Sequence, residues 1–233
     1  MSSIMTVAQK EARLILMSRQ TLISAIIIVA VFSLTMVPTI LSIEGEEGNS
    51  IDQALFMLPV VIGVFLGYIF TAQVFLREKT EGTIETLLCT PISLRNLWAG
   101  KVIGTVVPAY ALTLVGVLLI VGTASTLGGE TVLPSPPIIA HLLTVVPAFI
   151  AAAVGGLGFV QLLLGLKENQ IINVIIIFLV IFSFSLMTGL LDPAFGIGWS
   201  MVGSLAAVAA VLLLILAWGT RYLNKERIVT TIP

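Results

Sequence analysis

The chain has 233 residues, 58% of them hydrophobic and only 10% charged, with a net charge of −1. A soluble domain carries roughly 45–50% apolar and about 25% charged residues, so a water-soluble fold is excluded, and so is the clustered basic face of a nucleic-acid binder. The one cysteine, Cys89, leaves no disulfide within the chain and no Cys-rich zinc site.

Residues 1–19 come first. Ile4, Val7, Ala8, Ala12 and Ile15 share one helical face, while Gln9, Lys10, Arg13 and Arg19 supply polar positions. That pattern suits an amphipathic helix lying in the membrane interface, and a plain basic topogenic segment is the alternative. Beyond it, charged residues cut the chain into stretches to be compared with the roughly 20 residues that cross about 30 Å of hydrocarbon. Gln20–Ile43 and Gln53–Leu76 each hold 24 uncharged residues and predict the first two spans. The third lies between Lys101 and Glu130. The next uncharged run, Thr131–Leu166, is 36 residues long. Pro134, Pro136 and Pro137 open it as a loop, so the fourth span starts near Ile138. Asn169–Leu191 predicts the fifth span and Gly198–Thr220 the sixth, with Asp192-Pro193 and two glycines between them. The expected fold is an all-α polytopic membrane protein: six transmembrane helices over 20–220, preceded by the interfacial helix 1–19 and followed by a short tail, 221–233.

Lysine and arginine in short loops stay on the cytoplasmic side. With a cytoplasmic N-terminus, all 11 basic residues fall on that side, and the outer segments hold only Glu44, Glu46, Glu47, Asp52, Glu130 and Asp192. Both termini are therefore expected in the cytoplasm and the protein in the cell membrane, without a cleaved signal peptide.

The spans carry no ionisable group at mid-depth, where function is usually the reason for keeping one. His141 lies a few residues into the fourth span, and an interfacial role with a local hydrogen-bond partner is expected for it. Gln73, Gln161 and Asn173 are expected to bond between helices. Gly198-Trp199-Ser200-Met201 lacks the glycine of a G-x-S-G nucleophile turn. No zinc-type H-E-x-x-H occurs, and Gly100-Lys101 lacks the other residues of a phosphate loop. The chain is not expected to be an enzyme, nor to hold a metal or cofactor. Ala151 with Gly155 and Ala152 with Gly156 have the spacing that lets helix backbones approach, and contacts within the chain are the favoured use.

The loop 77–101 holds seven charges, Arg77, Glu78, Lys79, Glu81, Glu85, Arg95 and Lys101. Ile84, Leu87 and Leu88 fall at i, i+3 and i+4, which predicts a short helix from Thr83 with one apolar ridge. Glu81 and Glu85 repel in one continuous helix, and Gly82 between them favours a bend. Thr90-Pro91 reads as a second helix start leading into the third span. The ridge suits a docking partner and a lipid surface equally.

The run Glu78-Lys79-Thr80-Glu81-Gly82-Thr83-Ile84-Glu85-Thr86-Leu87-Leu88-Cys89-Thr90-Pro91-Ile92-Ser93, followed by Leu97 and Gly100-Lys101, resembles the signature of ABC-2 type permeases, the membrane subunits of ATP-binding cassette exporters. The resemblance implies that Glu78, Glu81, Gly82, Thr83, Ile84, Glu85, Leu87, Leu88, Thr90 and Pro91 form a coupling helix between spans 2 and 3 that touches an ATPase subunit. It also implies that residues 1–19 are an elbow helix beside that loop. ATP and Mg would then be bound by a separate ATPase, in two copies, and the chain would pair with a second permease, expected to be identical. A membrane anchor or sensor docking a cytoplasmic protein through loop 77–101 is the alternative. Spans without countercharges point to an amphipathic or hydrophobic cargo. Candidate pathway residues are Phe65 and Tyr68 in the second span and Phe178, Phe182, Ser183 and Phe184 in the fifth.

Overall fold

In lipid the backbone of an uncharged run finds hydrogen-bond partners only within itself, which makes such runs helical. A computed structural model describes residues 3–43, 50–81, 93–128, 133–164, 171, 175 and 197–222, and its secondary structure is entirely helical there. The first helix, α1 (Ser3–Met17), is followed by α2 (Arg19–Ile43). Next comes α3 (Ser50–Thr71), which runs through a π turn, Ala72–Leu76, into a last turn, Arg77–Thr80. The longest element is α4 (Leu94–Gly128). Helix α5 has three parts: Pro136–Ala140, a π turn at His141–Val145, and Val146–Leu163. The last, α6 (Trp199–Gly219), ends in a tight turn, Thr220–Tyr222.

Among the described residues four helical runs are long and apolar enough to cross a membrane: Ile51–Phe75, Leu94–Leu127, Pro136–Leu163 and Trp199–Gly219. Helices α1 and α2 meet at a bend of 77°, and counting that pair as one span gives five. The expected fifth span lies outside the described residues, apart from Ile171 and Ile175. So do Phe178, Phe182, Ser183, Phe184, Asn173 and the end of the tail.

Two boundaries differ from expectation. Helix α5 starts at Pro136 because proline needs no amide partner in a first turn. Helix α4 is described from Leu94, where Ser93 accepts a hydrogen bond from the Asn96 amide at 3.3 Å. Ser93 is thus a side-chain cap at that start, one turn beyond Thr90-Pro91, which are outside the described residues. At 35 residues α4 is about 50 Å long, some 20 Å more than the hydrocarbon is thick.

Helix α3 lies at the centre. Leu55, Leu58, Ile62, Leu66 and Phe70, spaced three or four apart, are buried against Ala109 and Ile120 of α4 and Ile138, Val146, Ile150 and Val154 of α5. A side chain at Gly67 would come within 2.8 Å of Val154, so this glycine sets how closely α3 and α5 approach. The small residues of α5 are used inside the chain: Gly155 lies under Trp98 and Gly158 under the Phe75 ring. Helix α6 is peripheral, with only Val202 and Ala209 buried.

Candidate functional site

Two glycines one turn apart bring α1 onto α4. A β-carbon at Gly100 would lie 2.7 Å from Val7 Cβ, and one at Gly104 would lie 2.6 Å from the Ala8 carbonyl oxygen. No side chain fits either gap, so the small-x-x-x-small spacing sets the contact. The residues of α1 turned inward are Val7, Ala8, Glu11 and Ile15. Most of the face expected to meet lipid therefore meets protein, and Ala12, Met5 and Leu16 form a separate, more exposed apolar strip. Glu11 comes inward because it stands four residues after Val7 and four before Ile15.

Beside Gly100, Lys101 is buried with a side-chain exposure of only 2%, and Glu11 matches it at 3%. The Lys101 ammonium lies 2.7 Å from Glu78 Oε2 and 3.2 Å from Glu11 Oε1, and it donates to the Val74 carbonyl at 3.2 Å. An ammonium has three N–H donors, and three acceptors surround this one. Val74 belongs to the π turn of α3, an irregularity that often marks a functional position in a helix. The Phe75 ring is 5.4 Å from the ammonium and rests on Gly158, which ties the cluster to α5. Lys10, half exposed, approaches Glu11 at 3.4 Å and Glu78 at 3.9 Å. Two cations and two carboxylates thus join α1, the end of α3 and the start of α4.

Burial pushes the Glu78 carboxyl above the usual glutamate range, and the attraction of Lys101 opposes that shift without cancelling it. On the rim, the exposed Arg77 donates to Glu81 at 2.7 Å, and this hydrogen bond holds the guanidinium's pKa above its ordinary value.

Of the expected coupling residues, Glu78 is in this cluster and Glu81 is beside it. Gly82, Thr83, Ile84, Glu85, Leu87, Leu88, Thr90 and Pro91 lie outside the described residues. Phe65 and Tyr68 stack with centroids 6.3 Å apart on a half-buried face of α3, and Phe65 also meets Phe32 of α2. Phe65 is about 15 Å and Tyr68 about 10 Å along the helix from Phe75, away from the charges. Neither Glu11 nor Lys101 is singled out by the sequence as part of a site. The signals for them are a carboxylate inside the apolar face of residues 1–19 and a lysine inside Gly100-Lys101-Val102-Ile103-Gly104.

At the opposite end of α3, His141 is fully buried, stacked on Phe56 at 4.5 Å with Nε2 2.8 Å from the Phe56 carbonyl. It has the hydrogen-bond partner expected of it, and its ring is packed in the protein core. Asp52 accepts the Ser135 amide at 3.2 Å nearby. Among the described residues no three His, Cys, Asp or Glu side chains are grouped as metal ligands.

A family model described as "ABC-2 family transporter protein" matches residues 5–220. The chain belongs to the ABC-2 transporter family. The match runs from α1 to the first residue of the turn after α6 and so takes in every described residue of this ABC-2 protein except two at each end. No curated protein and no solved structure matches the chain. Membership makes it the membrane-embedded, permease part of a transporter and implies an ABC ATPase partner in general. The four-charge cluster stands where α3 ends and α4 begins.

Proposed function

We propose that this ABC-2 protein is the permease subunit of an ATP-driven exporter in the cell membrane. It has six spans and cytoplasmic termini, and it works as a dimer of permeases with two ATPase subunits. ATP and Mg bind to those subunits, and the chain itself catalyses nothing. Helix α1 is the elbow, lying at the cytoplasmic surface, and residues 78–91 carry the coupling helix.

The observation that supports this reading is the bond from Lys101 to Glu78. The segment between Glu81 and Ser93 leaves α3 one turn after Glu78 and enters α4 two turns before Lys101. Its two ends are therefore held to each other and to α1 through one ammonium. A push on that segment is delivered to α3 and α4 together instead of being absorbed by a loose loop. ATP can drive the change only by binding the closed arrangement more tightly than the open one. Spans without fixed countercharges suit an amphipathic or hydrophobic cargo moved outward, past Phe65, Tyr68 and the aromatic residues of the fifth span.

The test is co-expression with the ATPase subunit. Glu81→Lys, Glu85→Lys and Leu88→Asp should release that subunit or uncouple hydrolysis from transport while insertion stays normal. Full transport and co-purification in all three variants would reduce the segment to a connector. Cys89 should react with a membrane-permeant maleimide in intact cells and not with an impermeant one, and native mass spectrometry should find two permeases with two ATPases. Stimulation of ATP hydrolysis by lipid-like compounds, and not by small ions or sugars, checks the cargo class.

A further inference from the structure

A cleft of about 570 Å³ opens between α1 and the last turns of α3. Leu14, Ile15, Met17 and Val74 give it an apolar lining, and Arg77 and Glu81 are among its charged residues. Gln73 also lines it, with a buried side-chain oxygen that has no hydrogen-bond partner. A buried acceptor left unmade is costly, so this atom calls for a donor from outside the chain. The charged side chains lining the cleft are Lys10 and Arg77 against Glu11, Glu78 and Glu81, so its wall has no excess of positive charge. An anion entering it would add uncompensated charge. A second groove, along the polar face of α1, shares Lys10, Leu14 and Met17 with the cleft and adds Arg13. Leu14 and Met17 are 50% and 68% exposed at the common mouth, beside the 77° bend into the apolar α2.

We infer that this cleft holds the headgroup of a zwitterionic phospholipid bearing a primary ammonium, phosphatidylethanolamine. The ammonium donates to Gln73 Oε1, the phosphate lies on the Lys10 and Arg13 side, and the acyl chains pass over Leu14 and Met17. A choline headgroup of equal charge has no N–H to give. The inference is independent of cargo and transport direction, so it can fail while the permease reading stands.

The full-length protein, purified with its partner subunits in detergent, is incubated with equimolar phosphatidylethanolamine, phosphatidylcholine and phosphatidylglycerol of identical acyl chains. Retained lipid is then counted by native mass spectrometry. One hydrogen bond from a charged donor corresponds to roughly a tenfold preference for ethanolamine over choline. Gln73→Leu should bring that ratio to about one, and Leu14→Trp, a change at an exposed position, should fill the cleft and reduce retention of all three lipids. Equal retention of ethanolamine and choline lipids, preference for the glycerol lipid, no retained lipid, a ratio unmoved by Gln73→Leu, or retention unmoved by Leu14→Trp would each overturn the assignment. If Gln73→Leu does not fold, Leu14→Trp decides.

Discussion

Two π turns occupy opposite ends of the helical core, and the side chains that complete them differ. In α3 the turn at Ala72–Leu76 offers the Val74 carbonyl to Lys101 of α4. In α5 the turn at His141–Val145 offers the Leu142 carbonyl to the Tyr110 hydroxyl, also of α4, at 3.0 Å. At that second turn no ion pair is made among the described residues, and the His141 ring is settled on Phe56. The first is completed by an ammonium that also gathers two carboxylates, one of them on α1, a helix that lies off the main bundle. The same backbone irregularity thus serves packing within the bundle at one end. At the other it fastens an outlying helix and the stem of the segment 82–92. A neutral hydrogen bond contributes about 1 kcal/mol, whereas breaking a buried ion pair costs about 3–5 kcal/mol because a carboxylate is left behind.

The largest expected effect is at Lys101. Lys101→Met should lower the unfolding free energy by about 3 kcal/mol or more, read as a fall in thermal unfolding temperature in detergent. Replacing Lys101, Glu11 and Glu78 together by Met, Leu and Leu should recover most of that loss, since no charge then stays buried alone. Next is Gly104→Val, whose side chain would strike the Ala8 backbone. Overpacking of this kind costs about 1–3 kcal/mol and should expose α1 to proteases while the bundle stays intact. At the other end, Tyr110→Phe should cost about 1 kcal/mol and leave α1 protected. A cost equal to that of Lys101→Met would erase the contrast between the two turns.

The smallest effect at neutral pH is Glu78→Gln, and its signature is a slope. The folded Glu78 carboxyl is raised above its unfolded value, chiefly by burial. Its contribution to stability is therefore full below the usual glutamate range and is lost as pH rises through the raised folded value. The glutamine variant stays neutral, so its stability should decline less over that window. Unfolding measured from the glutamate range up to neutrality checks this, and parallel curves for the two proteins would refute it.

Much of the bundle is legible in the sequence because lipid allows an uncharged run little besides a helix. Gln20–Ile43 and Gly198–Thr220 come within a residue or two of α2 and α6 for that reason. The close packing along α5 is legible as well, in Gly155 and Gly156, which lie against Trp98 and Leu216. The charge cluster is not. Lys101 and Glu11 are 90 positions apart, and the pairing needs both the bend at Ser18 and the two glycines of α4. Read alone, Lys101 is one more cytoplasmic charge in loop 77–101, and Glu11 is one acid in a basic helix. The π turns are hidden in the sequence, because the one-residue shift in helical phase that each causes is lost in runs that are apolar almost throughout. Glu78 enters the expected site by its place in the Glu78–Ser93 run, but its partners do not.

The central claim is that α1, the end of α3 and the start of α4 move as one body. The direct measurement is the distance between spin labels at the exposed Met17 of α1 and Arg95 of α4, on a Cys89→Ser background, in the complex with its ATPase, without nucleotide and with ATP trapped. The account predicts one narrow distance distribution that is the same in both states. A distribution that shifts when ATP is trapped would show that α1 and α4 part during the cycle, and would contradict it.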